Sequence, residues 1–306
     1  MSIRFDQRVA IVTGAGAGLG RSHAIELARR GARVVVNDFG GGVDGTGGSS
    51  APAERVAAEI NALGGEAIAH GADVTNTAQV EDMVNAARTR WGRVDILINN
   101  AGILRDASFA KMTLADFEKV VAVHLTGSVV CSKAVWQIMK DQGYGRILMT
   151  TSSSGLYGNF GQSNYGAAKM GVIGLMNVLQ IEGEKNDIRV NALGPGAATR
   201  MTEALLPKPV LGLMTPEAVT PAALFLVSED APRRTILNAT AGGFSRTLVH
   251  ETEGVYLNEN ERTPERIAAL FGQISDEAGQ HLYRDGGGQV MKFITKAARA
   301  HGVSLG

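Results

Sequence analysis

A doubly wound parallel α/β sheet, with helices on both faces and a C-terminal helical extension, is the fold predicted by this 306-residue sequence. Two observations predict it. Short apolar runs alternate with longer stretches of helical period, and the runs are continuous in Val, Ile and Leu without interleaved polar residues. Strands that alternate with helices need right-handed crossovers, which cover both sheet faces, and a strand buried on both faces reads as an unbroken apolar run. The strand candidates are RVAIVTG, ARVVVND, EAIAH, VDILINN, GRILMT, IRVNAL and, more weakly, RTILNA. Between them the helical candidates are Leu19 to Arg30, Pro52 to Leu63, Thr77 to Trp91, Ala115 to Asp141, Ser163 to Lys185 and Pro216 to Val227.

Composition narrows the partners. Thirty Lys and Arg balance thirty Asp and Glu, and no long run of like charge occurs, so small molecules are expected as ligands and neither nucleic acid nor a membrane surface is. The single Cys131 can build neither a disulfide framework nor a zinc site, and no metal is expected. The N-terminus MSIRFDQRVAIVTG lacks the apolar core of a signal peptide. No window approaches the roughly 18 apolar residues of a membrane span, so a cytoplasmic location is the expectation.

Two segments interrupt the alternation. Gly40 to Ser50 is too glycine-rich for helix or strand and lies directly after the second strand, as a surface loop or a cofactor flap. The tail, with helical stretches near Pro264 to Gly272 and Gly287 to His301, reads as an extension packed on the core or on a second subunit. The expected division is therefore a nucleotide-binding domain over 1–245 and an extension over 246–306.

The turn Thr13-Gly-Ala-Gly-Ala-Gly-Leu-Gly20 closes the first strand and opens a helix. Gly14, Gly18 and Gly20, with Leu19 between the last two, supply a tight turn, close backbone approach and a helix N-terminus facing an anion, which is what a dinucleotide pyrophosphate requires in a Rossmann fold. Asp38 ends the second strand about twenty residues on, placed to accept hydrogen bonds from ribose hydroxyls and to repel a 2′-phosphate. Neither Ala17 nor Phe39 offers a compensating positive charge, so NAD is favoured over NADP.

Tyr165 and Lys169, four residues apart at the start of a helix, share one face. An ammonium beside a phenol favours the phenolate, which can take a proton from a substrate hydroxyl while hydride leaves for a nicotinamide. Ser152, at the end of GRILMT, can hydrogen-bond the same oxygen. Taken alone the pair says little, since Tyr-x-x-x-Lys is common on helices.

In order along the chain, TGAGAGLG, Asp73-Val74, Asn99-Asn-Ala-Gly102, Ser152, Tyr165-Gly-Ala-Ala-Lys169 and Gly194-Pro-Gly196 resemble the short-chain dehydrogenase/reductase family over about residues 5 to 245. The resemblance implies that Asp73 and Val74 contact the adenine, that Asn100, Ala101 and Gly102 flank the cofactor, and that Gly196 and Thr199 lie near the nicotinamide amide. It implies pairing through His124 to Asp141 and Tyr165 to Lys185, as a homodimer or homotetramer. Where the family carries Asn in an Asn-x-x-Gly pattern, holding a water on the proton path to the lysine, this chain reads His124-Leu-Thr-Gly127, making His124 a candidate fourth catalytic residue.

The Gly40 to Ser50 insertion, NNAGILRDASFAKM, VHLTGS, GLYGNFGQSNYGAAK and the YLNENERTPERIAALFGQI tail are similar, more narrowly, to the (3R)-hydroxyacyl-CoA dehydrogenase unit of peroxisomal multifunctional enzyme type 2. That subgroup resemblance implies NAD-linked oxidation of (3R)-3-hydroxyacyl-CoA in fatty acid metabolism, here in a stand-alone, bacterial-type protein. The alternatives are a 3-ketoacyl thioester reductase, a hydroxysteroid dehydrogenase and, in a different class, a non-catalytic nucleotide sensor. Met201 to Met214 is the expected substrate lid, and Arg105, Lys111, Arg200 and Lys208 are candidate partners for CoA phosphates.

Overall fold

The computed structural model describes residues 2–198 and 208–305. The chain divides into two compact units, Met1–Arg246 and Thr247–Gly306. The first is built on an eight-stranded sheet of order β3-β2-β1-β4-β5-β6-β7-β8. Its strands are β1 (Val9–Thr13), β2 (Arg33–Asn37), β3 (Glu66–His70), β4 (Ile96–Asn99), β5 (Gly145–Thr150), β6 (Ile188–Gly196), β7 (Ile236–Thr240) and β8 (Gly243–Thr247). The pairs from β3 across to β7 are all parallel.

Neighbouring residues of one strand point to opposite faces, and both faces are apolar. Ala10, Val12, Val34, Val36, Ile96 and Ile98 pack on one side with Leu27 and Leu224, while Val9, Ile11, Val35, Leu97 and Ile147 pack on the other with Val80, Val135 and Val172. Hence the unbroken apolar runs of β1, β2 and β4. Helices α1 (Gly18–Arg29), α2 (Ala51–Ala62) and α9 (Pro216–Leu226) supply the first cover. The second comes from α3 (Thr77–Trp91), α5 (Gly127–Gln142) and α7 (Ser163–Gly183). Cys131 is buried within it, and burial pushes its thiol up to about 12, as an inert structural cysteine.

Three local features depart from the expectation. The single helix expected over Ala115 to Asp141 is two, α4 (Leu114–Val121) and α5, joined through a π-helical turn at Ala122–Thr126 in which Gly127 N–H donates to Ala122 O. The extra residue re-aims His124 into the interior, a common use of such bulges. A four-residue helix α6 (Ser153–Leu156) follows β5, its first turn capped by Ser152 Oγ, which accepts from Ser154 N at 3.2 Å. The sheet also gains β8, reached from β7 by a two-residue turn with positive φ at both Ala241 (49°) and Gly242 (80°), the backbone of a type I′ hairpin.

The window Pro209–Leu226 has a mean hydropathy of 1.3 over 18 residues, more than the sequence reading allowed for. It is folded as α8 (Lys208–Leu211) and α9, and Val219, Ala223 and Leu226 of α9 lie in the core. In the second unit, α10 (Pro264–Ile274) and α11 (Gly286–His301) occupy the two helical stretches expected of the tail.

Candidate active site

The strand order reverses between β1 and β4, and in a doubly wound sheet the crevice beyond the carboxyl ends of the strands at such a point is the ligand site. A cleft of about 460 Å³ lies there, lined by the glycine turn after β1, the acid after β2, the Asn100–Gly102 backbone after β4 and the Ser152–Tyr165–Lys169 group after β5.

At the turn, Gly14 has φ 63° and Gly18 φ 54°, left-handed values that glycine adopts freely. A Cβ on Gly14 would stand 2.8 Å from the Ala101 Cα, and one on Gly20 would run into the Gly14 carbonyl and reach 2.6 Å from Asn100 Nδ2. The glycines therefore let the ends of β1 and β4 approach, and Asn100 fastens them. Its N–H donates to Thr13 Oγ1 at 3.0 Å, and its Nδ2 donates to the Thr13 and Gly14 carbonyls at 2.9 and 3.1 Å. Leu19 and the N-terminus of α1 face the same cleft. This is a cradle that fits a pyrophosphate.

Asp38 accepts from Gly16 N at 2.7 Å through Oδ2 and from Gly40 N at 2.7 Å through Oδ1, which points its carboxylate along the cleft wall. Each oxygen keeps a lone pair for a hydroxyl donor. Asp73 and Val74 also line the cleft. The Asp73 carboxylate accepts from Thr75 N and Thr75 Oγ1 at 2.9 and 2.8 Å, closing the turn before α3.

The glycine-rich segment is part of this wall. It closes on itself, with Gly42 N donating to Thr46 O at 2.7 Å and Ser49 N to Phe39 O at 2.7 Å. It is latched from outside by Leu104 N to Val43 O at 2.9 Å and Arg105 Nε to Asp44 O at 2.9 Å. The Arg105 guanidinium is also bound to Asp116 at 2.9 Å. Arg105, a candidate for CoA phosphates, thus holds the loop through Nε and pairs with Asp116 through Nη1. Lys111 is exposed. Thr199, Arg200 and the Lys208 side chain lie outside the described residues, as do residues 201–207 of the expected lid; Met214 at its end lines the cleft. Gly196 lines it too, and a Cβ there would run into Thr240.

At the chemical end, Tyr165 lies in the first turn of α7 with a hydrogen bond to the Ser152 side chain. Lys169, buried one turn on, donates from Nζ to Thr150 O at 2.6 Å, with Nζ 5.5 Å from the Tyr165 ring centroid. Thr151 Oγ1 donates to Lys169 O at 2.7 Å, tying α7 to the end of β5. The His124 ring meets the Tyr165 ring edge to face, centroids 5.0 Å apart. Its Nε2 lies 2.7 Å from Ile103 O, while its Nδ1 is buried without a partner among the described residues. Gly102 makes room for it, since a Cβ there would enter the imidazole.

Lys169 together with a positive nicotinamide is expected to favour the phenolate; of the protein's own groups, burial raises the Tyr165 pKa, partly offset by the Ser152 hydrogen bond and reinforced by Asp106. Burial also brings Lys169 down to about 7. Burial and the Lys169 charge hold His124 well below the usual histidine range. Desolvation disfavours each charged form, and it leaves the His124 imidazole neutral at neutral pH.

The Lys169 shift has a measurable sign. Between about pH 7 and 10.5 the unfolded chain holds a proton on this amine that the folded chain has lost, so stability rises with pH across that window. The unfolding free energy from urea titrations should climb from pH 7 to 9 more steeply in wild type than in Lys169→Met, by up to about 1.4 kcal/mol per pH unit. Identical pH profiles would refute the buried amine.

Sequence reasoning missed Thr13 and Thr151, whose hydroxyls join segments distant in sequence, and the group Asp106, Ser154 and Gln162 beside Tyr165. Only a serine and threonine cluster after β5 hinted at the last.

Residues 8–209 match the short chain dehydrogenase family. Over 310 aligned residues the chain is 48% identical to peroxisomal multifunctional enzyme type 2 of Drosophila melanogaster, covering 99% of this chain and 51% of that protein. The solved structure of that full-length enzyme superposes with a TM-score of 0.81 at 34% identity, covering 97% of this chain and 50% of the other. A putative short-chain type dehydrogenase/reductase of Mycobacterium tuberculosis is 43% identical over 276 residues, 90% of this chain and 96% of that protein. A 7α-hydroxysteroid dehydrogenase solved with NADH and 7-oxo glycochenodeoxycholic acid superposes with a TM-score of 0.71 at 31% identity, over 78% of this chain and 95% of its own. The chain spans about a third to three-fifths of the length of the multifunctional relatives it matches. With the family's match covering the glycine cradle and the whole Ser152–Tyr165–Lys169 group, the chain belongs to the short-chain dehydrogenase family of oxidoreductases acting on CH–OH groups.

Proposed function

We propose that this protein oxidises (3R)-3-hydroxyacyl-CoA to 3-ketoacyl-CoA with NAD. The observation that carries the reading is the meeting, in one cleft, of the Asp38 carboxylate and the Ser152–Tyr165 pair, in a chain similar along nearly its whole length to multifunctional enzymes of the peroxisome. When bound, the nicotinamide supplies the hydride acceptor and a positive ring charge. Ser152 donates to the substrate oxygen and orients it. Tyr165 receives the hydroxyl proton as general base. Lys169, held by Thr150 O, contributes positive charge when protonated and binds the ribose. His124, neutral and with its buried Nδ1 left without a partner among the described residues, acts as a relay in place of the family's Asn.

Assembly through α5 and α7 belongs to the same proposal. It is supported by exposed apolar residues on both helices, Val129 on one and Met170, Val178 and Ile181 on the other.

Assays of NAD reduction across (3R)- and (3S)-3-hydroxyacyl-CoA chain lengths and steroid alcohols test the substrate. Activity on the (3R) thioesters is expected; activity confined to steroids or to the (3S) isomer would overturn the assignment. The cofactor has its own test. Asp38→Ala removes the carboxylate that would repel a 2′-phosphate, so the preference for NAD over NADP should narrow by about tenfold, equivalent to one pair interaction of about 1.4 kcal/mol. An unchanged preference in that variant would strip Asp38 of the role.

A further inference from the structure

The cleft wall contains a donor that the chemistry above does not use. Gln162 immediately precedes α7, three residues before Tyr165, so the two side chains leave the same side of the helix start. It lines the cleft together with Ser152, Ser154 and Tyr165. Its Oε1 accepts from Ser154 Oγ at 2.6 Å and from Asn159 Nδ2 at 3.1 Å. Its Nε2 donates to Asp106 Oδ2 at 2.7 Å.

These partners decide which way the amide faces. A carboxylate only accepts, so the reversed amide would set oxygen against oxygen at Asp106. The two loops that carry the pair are clamped to each other, with Ala107 N donating to Gly161 O at 3.0 Å and Asn164 Nδ2 to Arg105 O at 2.9 Å. An amide nitrogen has two hydrogens, and Asp106 takes one. The second has no partner among the described residues and belongs to a group that faces the cleft. Such a preorganised donor discriminates among ligands, because once a ligand displaces water from it only one with an acceptor at that place satisfies it.

The proposed substrate offers one. A 3-hydroxyacyl thioester carries a second oxygen at C1, two carbons from the reacting hydroxyl, which an isolated secondary alcohol lacks. We infer that Gln162, oriented by Asp106, is a positioning residue that donates its second amide N–H to the C1 carbonyl of the thioester and so selects 3-oxygenated acyl thioesters. The inference rests on the function proposed above.

Calorimetry of wild type with NAD present, titrated with a 3-ketoacyl-CoA and with its thioether analogue, in which CH2 replaces the C1 carbonyl, reads this contact directly. Wild type should bind the thioester about five- to tenfold more tightly, as one neutral hydrogen bond allows. Gln162→Ala should erase that difference. Gln162→Glu, which presents an oxygen in place of the nitrogen, should erase or invert it. Asp106→Asn should give an intermediate ratio, since Asn offers Nε2 an acceptor but no longer forbids the reversed amide. The glutamate and asparagine variants carry the decision if the alanine variant fails to fold. Equal affinities for the two ligands in wild type, or an unchanged difference in the Gln162 variants, would overturn the inference while (3R)-3-hydroxyacyl-CoA oxidation stands. Failure of wild type to oxidise any such thioester overturns both and is seen before a variant is made.

Discussion

Tyr165→Phe is expected to bind NAD as wild type does and to lose turnover by about a hundredfold to ten-thousandfold, the range of a positioned general base. Only the phenolic oxygen is removed. The ring keeps its edge-to-face contact with His124, and Lys169 keeps its bond to Thr150 O, which does not involve Tyr165. The glycine cradle and Asp38 are made by other segments. The loss should fall in kcat and in kcat/KM together, as for an interaction made in the transition state. A fluorescence titration with NADH would verify cofactor binding, and stopped-flow measurement of NAD reduction the chemical step. Turnover within threefold of wild type would remove Tyr165 from the mechanism.

Gly14→Ala should damage both cofactor binding and the fold. Its backbone sits at φ 63°, and the new methyl would lie 2.8 Å from the Ala101 Cα. The left-handed conformation costs a non-glycine residue about 1–2 kcal/mol, and overpacking a tight contact about 1–3 kcal/mol more. Backbone cannot rotate away as a side chain can, so the ends of β1 and β4 must part, and Asn100 loses its grip on the Thr13 and Gly14 carbonyls. A stability loss of about 2–5 kcal/mol by urea unfolding is expected, with NAD affinity reduced by more than tenfold. Wild-type NAD affinity in the folded variant would show that the turn tolerates a side chain. By contrast, Gly143 and Gly92, at helix ends with open space around them, pose only the conformational question.

Much of the fold was legible. Seven of the eight strands coincide with apolar runs picked out by composition, because a strand covered on both faces has no polar positions to blur it. The eighth, β8, was not, since its residues are mostly exposed and carry no apolar signal. The π-helical turn at His124 was equally hidden: a one-residue bulge leaves the helical period on either side intact. Gly40 to Ser50 read as a loop, but its latching to Leu104 and Arg105 pairs residues some sixty positions apart, which no local pattern reports.

The order of motifs in the chain was enough to establish an oxidoreductase with a dinucleotide cradle, because glycine spacing, the acid after the second strand and the Tyr-Lys pair are each short-range features. The tertiary structure decided the protonation and orientation of the groups at the site. Burial, which depends on the whole sheet and its helices, lowers Lys169 to about 7 and raises Tyr165. Packing of Gly102 against the imidazole places His124 on the Tyr165 ring. Asp106, fifty-six residues from Gln162 along the chain, determines which end of that amide faces it. Charge and hydrogen-bond direction are set by everything that surrounds a group, and sequence spacing records only its nearest neighbours along the chain.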